Sequence, residues 1–470
     1  MTPSLDCVPT QELTLSAEDY SLLTDLYQLT MAACYTGEGL EQKWASFELF
    51  TRRLPDDFGY LIAMGLAQAL EYLENLHFSA AQISALKATK IFNNAPESFW
   101  TLLESGHFTG DVWAVPEGTA VFANEPLLRV EAPLWQAQLV ETYLLNTLNF
   151  QTLVATRAAR LRDIAGSSAT LLEFGTRRAF SPQSSLWAAR AALAAGLDST
   201  SNVLAALRLG SQPSGTMAHS LVMAIAAMEG TEDQAFTAFH RYFPGAPLLI
   251  DTYDTVAAAQ RLSEKVKAGE MKLTGVRLDS GDLVSLSKQV RSLLPEVSIF
   301  ASGDLDEWEI ANLKANGAEI DGYGLGTRLV TGTPVNGVYK IVEIAGIPVM
   351  KQSSGKATYP GCKQIFRSFE GDQAIKDCLG LVTETDAQPL LQLVMQQGKR
   401  IQPPESITQI RDRTAKSVAS LPDCVKQLDN PTPFPVEISP ALQQLTEKTR
   451  LAETTVTAYS RVQGSGVRGH

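Results

Sequence analysis

Gly275-Val-Arg-Leu-Asp-Ser-Gly-Asp-Leu283 carries the reading of the fold. It continues the strand-like Leu273-Thr-Gly-Val276, sets Arg277, Asp279 and Asp282 around Ser280-Gly281, and runs into the helical pattern Leu283 to Leu294. A buried strand with polar groups at its carboxyl end is where α/β proteins build their sites. Asp282 suits the cap of the following helix, but capping requires neither Arg277 nor Asp279. The stretch therefore reads as the floor of an anion and sugar site, and its strand-then-helix texture indicates an α/β fold.

The same texture repeats on both sides. A long helical pattern from Gln136 to Ala165 stops at Gly166, and strand-like and helical runs then alternate. They fall at Thr170 to Phe174, Ser184 to Ala195, a short unit from Asp198 to Leu209, Pro213 to Met217 and His219 to Met228. Further runs follow at Pro247 to Asp251, Thr255 to Lys267, Thr274 to Leu278, Leu283 to Leu294, Ser298 to Ala301, Leu305 to Ala315 and Glu319 to Leu325. So many β-then-α units predict a parallel sheet closing as an irregular (β/α) barrel.

Outside this region the texture differs. A helix is expected over Thr24 to Met31, a strand over Trp44 to Arg53, a helix over Tyr60 to Leu76, and short strands between Gly110 and Val130. After Gly332 the strand signals Gly337 to Glu343, Ile347 to Gln352 and Cys362 to Arg367 surround the polar Ser353 to Thr358. We expect residues 1–135 and 333–400 to make one discontinuous β-rich α+β domain, with the barrel at 136–332. Residues 401–470 read as a helical region with a proline-marked connector (Pro431, Pro433, Pro435, Pro440) and a flexible tail over the last ten residues.

Composition narrows the function. At 470 residues the chain exceeds the about 250 to 300 at which a single core stops growing. With 39 basic and 51 acidic residues its net charge is −12, which argues against a nucleic-acid surface held by phosphate contacts. Cys7, Cys34, Cys362, Cys378 and Cys424 are scattered without metal-ligand spacing, as free thiols of a reducing compartment would be. Met1 to Gln11 lacks the pattern of a signal peptide, and apolar runs such as Leu221 to Met228 fall far short of the about 20 residues that span a bilayer. A cytoplasmic protein with neither nucleic acid nor membrane as partner is expected.

A barrel gathers on one face whatever follows its strands. Here that set is Glu173 to Arg178, Ser214 to His219, Asp251 to Asp254, Arg277 to Asp282, Ser302 to Asp304 and Gly324 to Arg328. Ser302-Gly303 and Gly324-x-Gly326-Thr327 are turns whose amides and hydroxyls can cradle phosphate, on the last two strands of the series. His219 opens a helix for which Thr216 is the expected cap; an imidazole there can carry a phosphoryl group. Arg177, Arg178 and Arg277 offer bidentate recognition of carboxylate or phosphate. Phe174 and Tyr27 offer flat faces to an aromatic ring, and Asp279, Asp282 and Asp304 suit ribose hydroxyls or a Mg²⁺ carried by pyrophosphate. No strand ends in the lysine that a sugar-phosphate lyase or isomerase would use.

Five of these segments, Thr24 to Met31, Glu173 to Arg178, Ser214 to His219, Gly275 to Asp282 and Gly324 to Thr327, occur in this order, and the chain resembles the nicotinate phosphoribosyltransferase family over about residues 18 to 370. The resemblance implies condensation of nicotinate with phosphoribosyl pyrophosphate to nicotinate mononucleotide and pyrophosphate, coupled to ATP hydrolysis, with Mg²⁺ on the pyrophosphate. It also implies that His219 is phosphorylated, that Arg277 and Thr216 contact nicotinate, and that Phe174 stacks on its ring. Tyr27 would stack from the other subunit of a homodimer with shared sites. Arg177 would contact ligand, Asp279 would serve as the catalytic ribose-side carboxylate, and Ser302, Gly303, Gly324, Gly326 and Thr327 would bind phosphate. The similar nicotinamide enzymes carry Thr-Asp where Thr200-Ser201 stands, and the missing carboxylate favours nicotinate over the amide.

Overall fold

The computed structural model describes residues 13, 15–353, 358–385 and 388–464. Cys7, residues 354–357 of the polar segment and the tail beyond Gly464 lie outside the described residues.

Six parallel strands form the central sheet, in the order Ser199–Thr200, Thr170–Glu173, Gly322–Leu325, Ser298–Ala301, Gly275–Leu278 and Leu248–Leu249. Their apolar residues are buried apart from Leu172 and Phe300, which are half-buried, as suits parallel strands under helices. The helices that follow begin on side-chain caps: Asn202, Asp254, Asp282 and Asp306 each accept an amide of the first turn. These short polar side chains stop strand and start helix in one step, which leaves the strand ends exposed and the helix backbones satisfied.

The sheet is an irregular barrel, open between Ser199–Thr200 and Leu248–Leu249, which are its two edges. Pro213 to Met217, expected to be a strand, forms none. Proline offers no amide to a ladder, and one strand-like bond remains, from the Ser214 amide to the Thr200 carbonyl at 2.9 Å. The segment bends across the opening instead, and Arg277 Nη2 donates to the Met217 carbonyl at 3.0 Å. A helix not anticipated above, Glu232–Tyr242, opens on a Thr231-x-x-Gln234 capping box, follows His219–Glu229 and buries Phe236.

The long helix Glu141–Ala165 is the spine. It ends at Gly166, whose φ of 86° favours glycine. Thr156 and Thr152 on this helix accept the amides of Ile62 and Met64. That anchorage explains why Tyr60 to Leu76 is not one helix. Leu61–Ile62 is a strand, Gly65 turns with a φ of 103°, and the helix is Leu66–Glu74.

A seven-stranded sheet combines Trp44–Thr51, Asp111–Ala114 and Pro126–Pro133 with Gly337–Ile344, Ile347–Pro348, Gln392–Gln396 and Lys399–Arg400. Trp44–Thr51 pairs antiparallel with Gly337–Ile344 on one side and with Pro126–Pro133 on the other. The β-rich domain is therefore discontinuous, its halves joined by a backbone ladder. One buried ion pair reinforces this junction, Lys363 Nζ to Glu48 at 2.8 Å; the pair Arg367 to Asp377 at 2.6 Å lies within a single hairpin, and Arg160 to Glu307 at 3.1 Å ties the long helix to helix Glu307–Ala315 of the barrel. No helix among the described residues is long and apolar enough to cross a membrane.

Candidate active site

A cavity of about 530 Å³ opens at the carboxyl ends of the parallel strands. Every strand-end segment quoted above except Asp251 to Asp254 contributes to its lining. Parallel pairing does this: residues far apart in sequence end at one level because the strands run in register.

Arg277 projects from Gly275–Leu278 into the cavity, its guanidinium carbon 5.9 Å from the centre of the Phe174 ring. A Cβ at Gly324 would lie 2.6 Å from that ring, so glycine in the neighbouring strand lets Phe174 lie flat on the sheet. Burial pulls Arg277 below its ordinary pKa, while Asp279 and Asp251 oppose that pull and Arg177 adds to it. Its Nε is buried with no partner among the described residues. A cation partly stripped of water with a free donor is suited to an incoming carboxylate. Thr216 and Ser201 line the same wall, and Arg177 and Arg178 are exposed at it.

His219 is the first residue of helix His219–Glu229, so the helix's positive end lies beneath the imidazole. Ala218, not Thr216, is the N-cap; the Thr216 hydroxyl donates instead to the Met217 carbonyl at 3.2 Å. Nδ1 of His219 lies 3.1 Å from the Thr252 hydroxyl, and Nε2 lies 3.8 Å from Asp251 and 4.0 Å from Asp279. The ring is 38% exposed, so a ligand can reach it.

Across the cavity, Gly303 has a φ of 97°, and a Cβ there would fall 2.3 Å from the Asp279 carbonyl. Only glycine permits that approach. Ser302 Oγ donates to Asp279 Oδ1 at 2.5 Å, tying the turn to the carboxylate. Gly326 and Thr327 line the adjacent part, where Gly326 precedes the short helix Thr327–Val330. Gly324 lies within a strand and not in a turn, so it supports Phe174 and its carbon faces the cavity.

Three family models match the chain. The nicotinate phosphoribosyltransferase N-terminal domain matches residues 22–149, the family model 169–299 and the C-terminal domain 363–446. A nicotinate phosphoribosyltransferase of Mycobacterium tuberculosis is 39% identical over 92% of this chain and 95% of its own length. That of Bacillus subtilis is 38% identical over 90% and 93%, and that of Homo sapiens 33% over 90% and 95%. The chain belongs to the nicotinate phosphoribosyltransferase family. The crystal structure of human nicotinic acid phosphoribosyltransferase superposes with a TM-score of 0.80, at 30% identity, over 90% of this chain and 99% of that one.

The match to the family's C-terminal domain extends to residue 446, beyond the residue 370 or so to which the sequence resemblance reached. The fold brings Phe174, Arg177, Thr216, His219, Arg277, Asp279, Ser302, Gly303, Gly324, Gly326 and Thr327 into one cavity. Tyr27 is not among its walls. It lies on helix Leu26–Gly37, 48% exposed. Asp282 is a helix cap, its carboxylate accepting the Ser285 amide at 3.2 Å.

Sequence reasoning assigned no role to Asp251, Thr252 or Glu173. Asp251 is buried, and its Oδ2 accepts the Asp279 amide and the Ser280 hydroxyl, each at 2.8 Å. Glu173, raised in pKa by burial, accepts the Thr200 hydroxyl and the Gly175 amide and so braces the loops that carry Ser201 and Arg177. An aspartate and a glutamate at strand ends were the available signals. Nothing in the sequence separated these buried braces from the caps Asp254 and Asp282.

Proposed function

We propose that this cavity transfers the phosphoribosyl group of phosphoribosyl pyrophosphate to the ring nitrogen of nicotinate, forming nicotinate mononucleotide and pyrophosphate on the salvage route to NAD. The observation that carries the proposal is Arg277 standing over Phe174 with a free buried Nε, in one cavity with His219 and the Ser302-Gly303 and Gly326-Thr327 turns. Arg277 takes the nicotinate carboxylate, Phe174 stacks on the pyridine and Thr216 fixes its edge. Ser201 presents no carboxylate to repel the anion, which supports nicotinate over nicotinamide.

The turns and Arg177 hold the phosphates, and Asp279 holds the ribose side. The bond from C1 of the ribose to pyrophosphate breaks with its electron pair on the leaving group. The nitrogen lone pair closes on C1, and Asp279 faces the positive charge that develops there. Asp279 and Asp304 would hold a Mg²⁺ brought in with phosphoribosyl pyrophosphate, and the ion would supply neutralising charge to the leaving pyrophosphate. Among the described residues no group of three His, Cys, Asp or Glu is placed to hold a metal ion, whereas Asp279 and Asp304 both line the cavity. The two carboxylates suit an ion carried in by the substrate.

His219 is the acceptor for the phosphoryl group of ATP, the helix end below it offsetting the added charge. Tyr27 comes from a second copy of the chain in a dimer with shared sites; its exposure beside exposed Leu23 and Leu26 supports this. The free thiols of Cys34, Cys362 and Cys424 suit the cytoplasm. Assay of nicotinate mononucleotide formation from nicotinate and phosphoribosyl pyrophosphate, with and without ATP, tests the reading. Product from nicotinamide but not nicotinate would overturn it.

A further inference from the structure

We infer that the chain has a second small-molecule site, behind the active-site loops, for a mononucleotide whose base carries an exocyclic N–H. A separate cavity of about 270 Å³ lies there and shares no lining residue with the catalytic one. It is close to the lower bound of about 300 Å³ for ligand pockets, a size for one nucleotide and not two.

Its walls come from both domains. Trp187 and Arg190 stand on helix Pro182–Ala194, which leaves the Arg177-Arg178 loop, and Arg208 ends helix Val203–Arg208, which follows Ser201. Tyr20, Gln68 and Tyr143 face them from the amino-terminal part of the chain.

Each group suits one part of the ligand. Tyr143 is buried, stacked on Tyr72 with centroids 4.0 Å apart and against Tyr20 at 5.0 Å, so it fixes the wall, and half-buried Tyr20 and Trp187 offer the aromatic surface for a planar base. Gln68 Oε1 is buried without a hydrogen-bond donor among the described residues. A buried acceptor of this kind calls for a donor, and an exocyclic amine or amide N–H supplies one. Arg190 is neutralised by Glu117 through bonds of 2.9 and 2.6 Å, but Arg208 is exposed with no ion pair among the described residues, free for a phosphate. Glu71 also lines this cavity and can accept from ribose hydroxyls.

The site is wired to the catalytic loops. Asn202 Nδ2 donates to Ser185 Oγ at 3.3 Å, joining the two helices, and the Asn202 amide bonds the Thr200 hydroxyl at 2.9 Å beside Ser201. An occupant bridging Trp187 and Arg208 therefore bears on the loops carrying Arg177 and Ser201.

Calorimetric titration of the full chain with adenosine monophosphate, and separately with nicotinamide mononucleotide, tests this and decides which base is taken. At least one should bind saturably, weaken tenfold or more in Arg208→Glu and in Gln68→Leu, and keep its affinity in Arg277→Ala. No saturable binding of either nucleotide, or equal binding in wild type and Arg208→Glu, overturns the inference. So does a loss in Arg277→Ala as large as that in Arg208→Glu. Nicotinate mononucleotide synthesis by Arg208→Glu without effector should match wild type, so failure of this inference and failure of the catalytic reading are separable.

Discussion

Nε2 of His219 stands 3.8 Å from Oδ1 of Asp251, an oxygen buried without a donor among the described residues, while Oδ2 of the same carboxylate holds the Asp279 amide. Asp251 thus links the residue proposed to carry phosphate to the backbone of the residue proposed to face the ribose. Replacing it by asparagine keeps an acceptor for Asp279 but puts a neutral amide against the imidazole. Asp251→Asn should lower phosphoenzyme yield and ATP-stimulated synthesis at least tenfold while leaving the nicotinate KM within about twofold. A rise in nicotinate KM equal to the fall in kcat would instead mark a general collapse of the cavity.

His219→Ala removes the phosphoryl acceptor and nothing that binds nicotinate. Stoichiometric ATP hydrolysis and acid-labile phosphoenzyme should disappear, with slow ATP-independent synthesis retained. Radiolabelled ATP and a product assay on the same sample check both halves. Full coupling in the variant would exclude His219 as acceptor.

Arg277→Ala deletes the guanidinium over Phe174. Losing a desolvated, charged hydrogen bond costs about 2 to 5 kcal/mol, and each about 1.4 kcal/mol is a factor of ten. The nicotinate KM should therefore rise about 30-fold or more, well beyond the change for phosphoribosyl pyrophosphate. Steady-state kinetics with each substrate varied in turn gives the comparison.

Tyr27 lies outside its own chain's cavity. In a shared-site dimer, Tyr27→Ala and Arg277→Ala homodimers should both be weak, and mixing them after mild dissociation should restore up to about a quarter of the wild-type activity. The heterodimer would hold one site with neither substitution. Absence of recovery, with exchange shown by native mass spectrometry, would place Tyr27 in another role.

Glu125 gives a pH signature in the fold. Burial, and then the nearby Asp377, hold its carboxyl well above the ordinary carboxylate range against the opposing Arg367. A carboxyl raised in the folded state favours folding while protonated, and stability falls as pH climbs from the unfolded value near 4.5 through the folded one. Glu125→Gln resembles the protonated form. The Tm of the variant relative to wild type should increase as pH is raised from 5 to 8, and a pH-independent difference would refute the linkage.

The sequence alone determined the α/β barrel and the chemistry at its strand ends. Leu273 to Leu294 reads as strand, polar turn and capped helix because the signals are local: alternation, a cap and a period of 3.6 residues. The motifs from Glu173 to Thr327 were legible for the same reason, since each is contiguous and, Ser214 to His219 apart, lies at the carboxyl end of a strand. Pro213 to Met217 failed because Pro213 offers no amide to a ladder and the Met217 carbonyl accepts from Arg277 of another strand instead. Tyr60 to Leu76 failed because threonines of a distant helix claim its amides.

Tertiary structure decided what each similar residue does. Asp251, Asp254, Asp279 and Asp282 are all aspartates at strand ends, yet Asp254 and Asp282 cap helices while Asp251 holds the Asp279 amide and Asp279 faces the cavity. Gly324 and Gly303 look alike in sequence, but one makes room for a ring and the other for a carbonyl. Capping is settled by residues within three positions and can be read from the chain. A contact between loops on different strands depends on which strands are neighbours, and only the paired sheet fixes that.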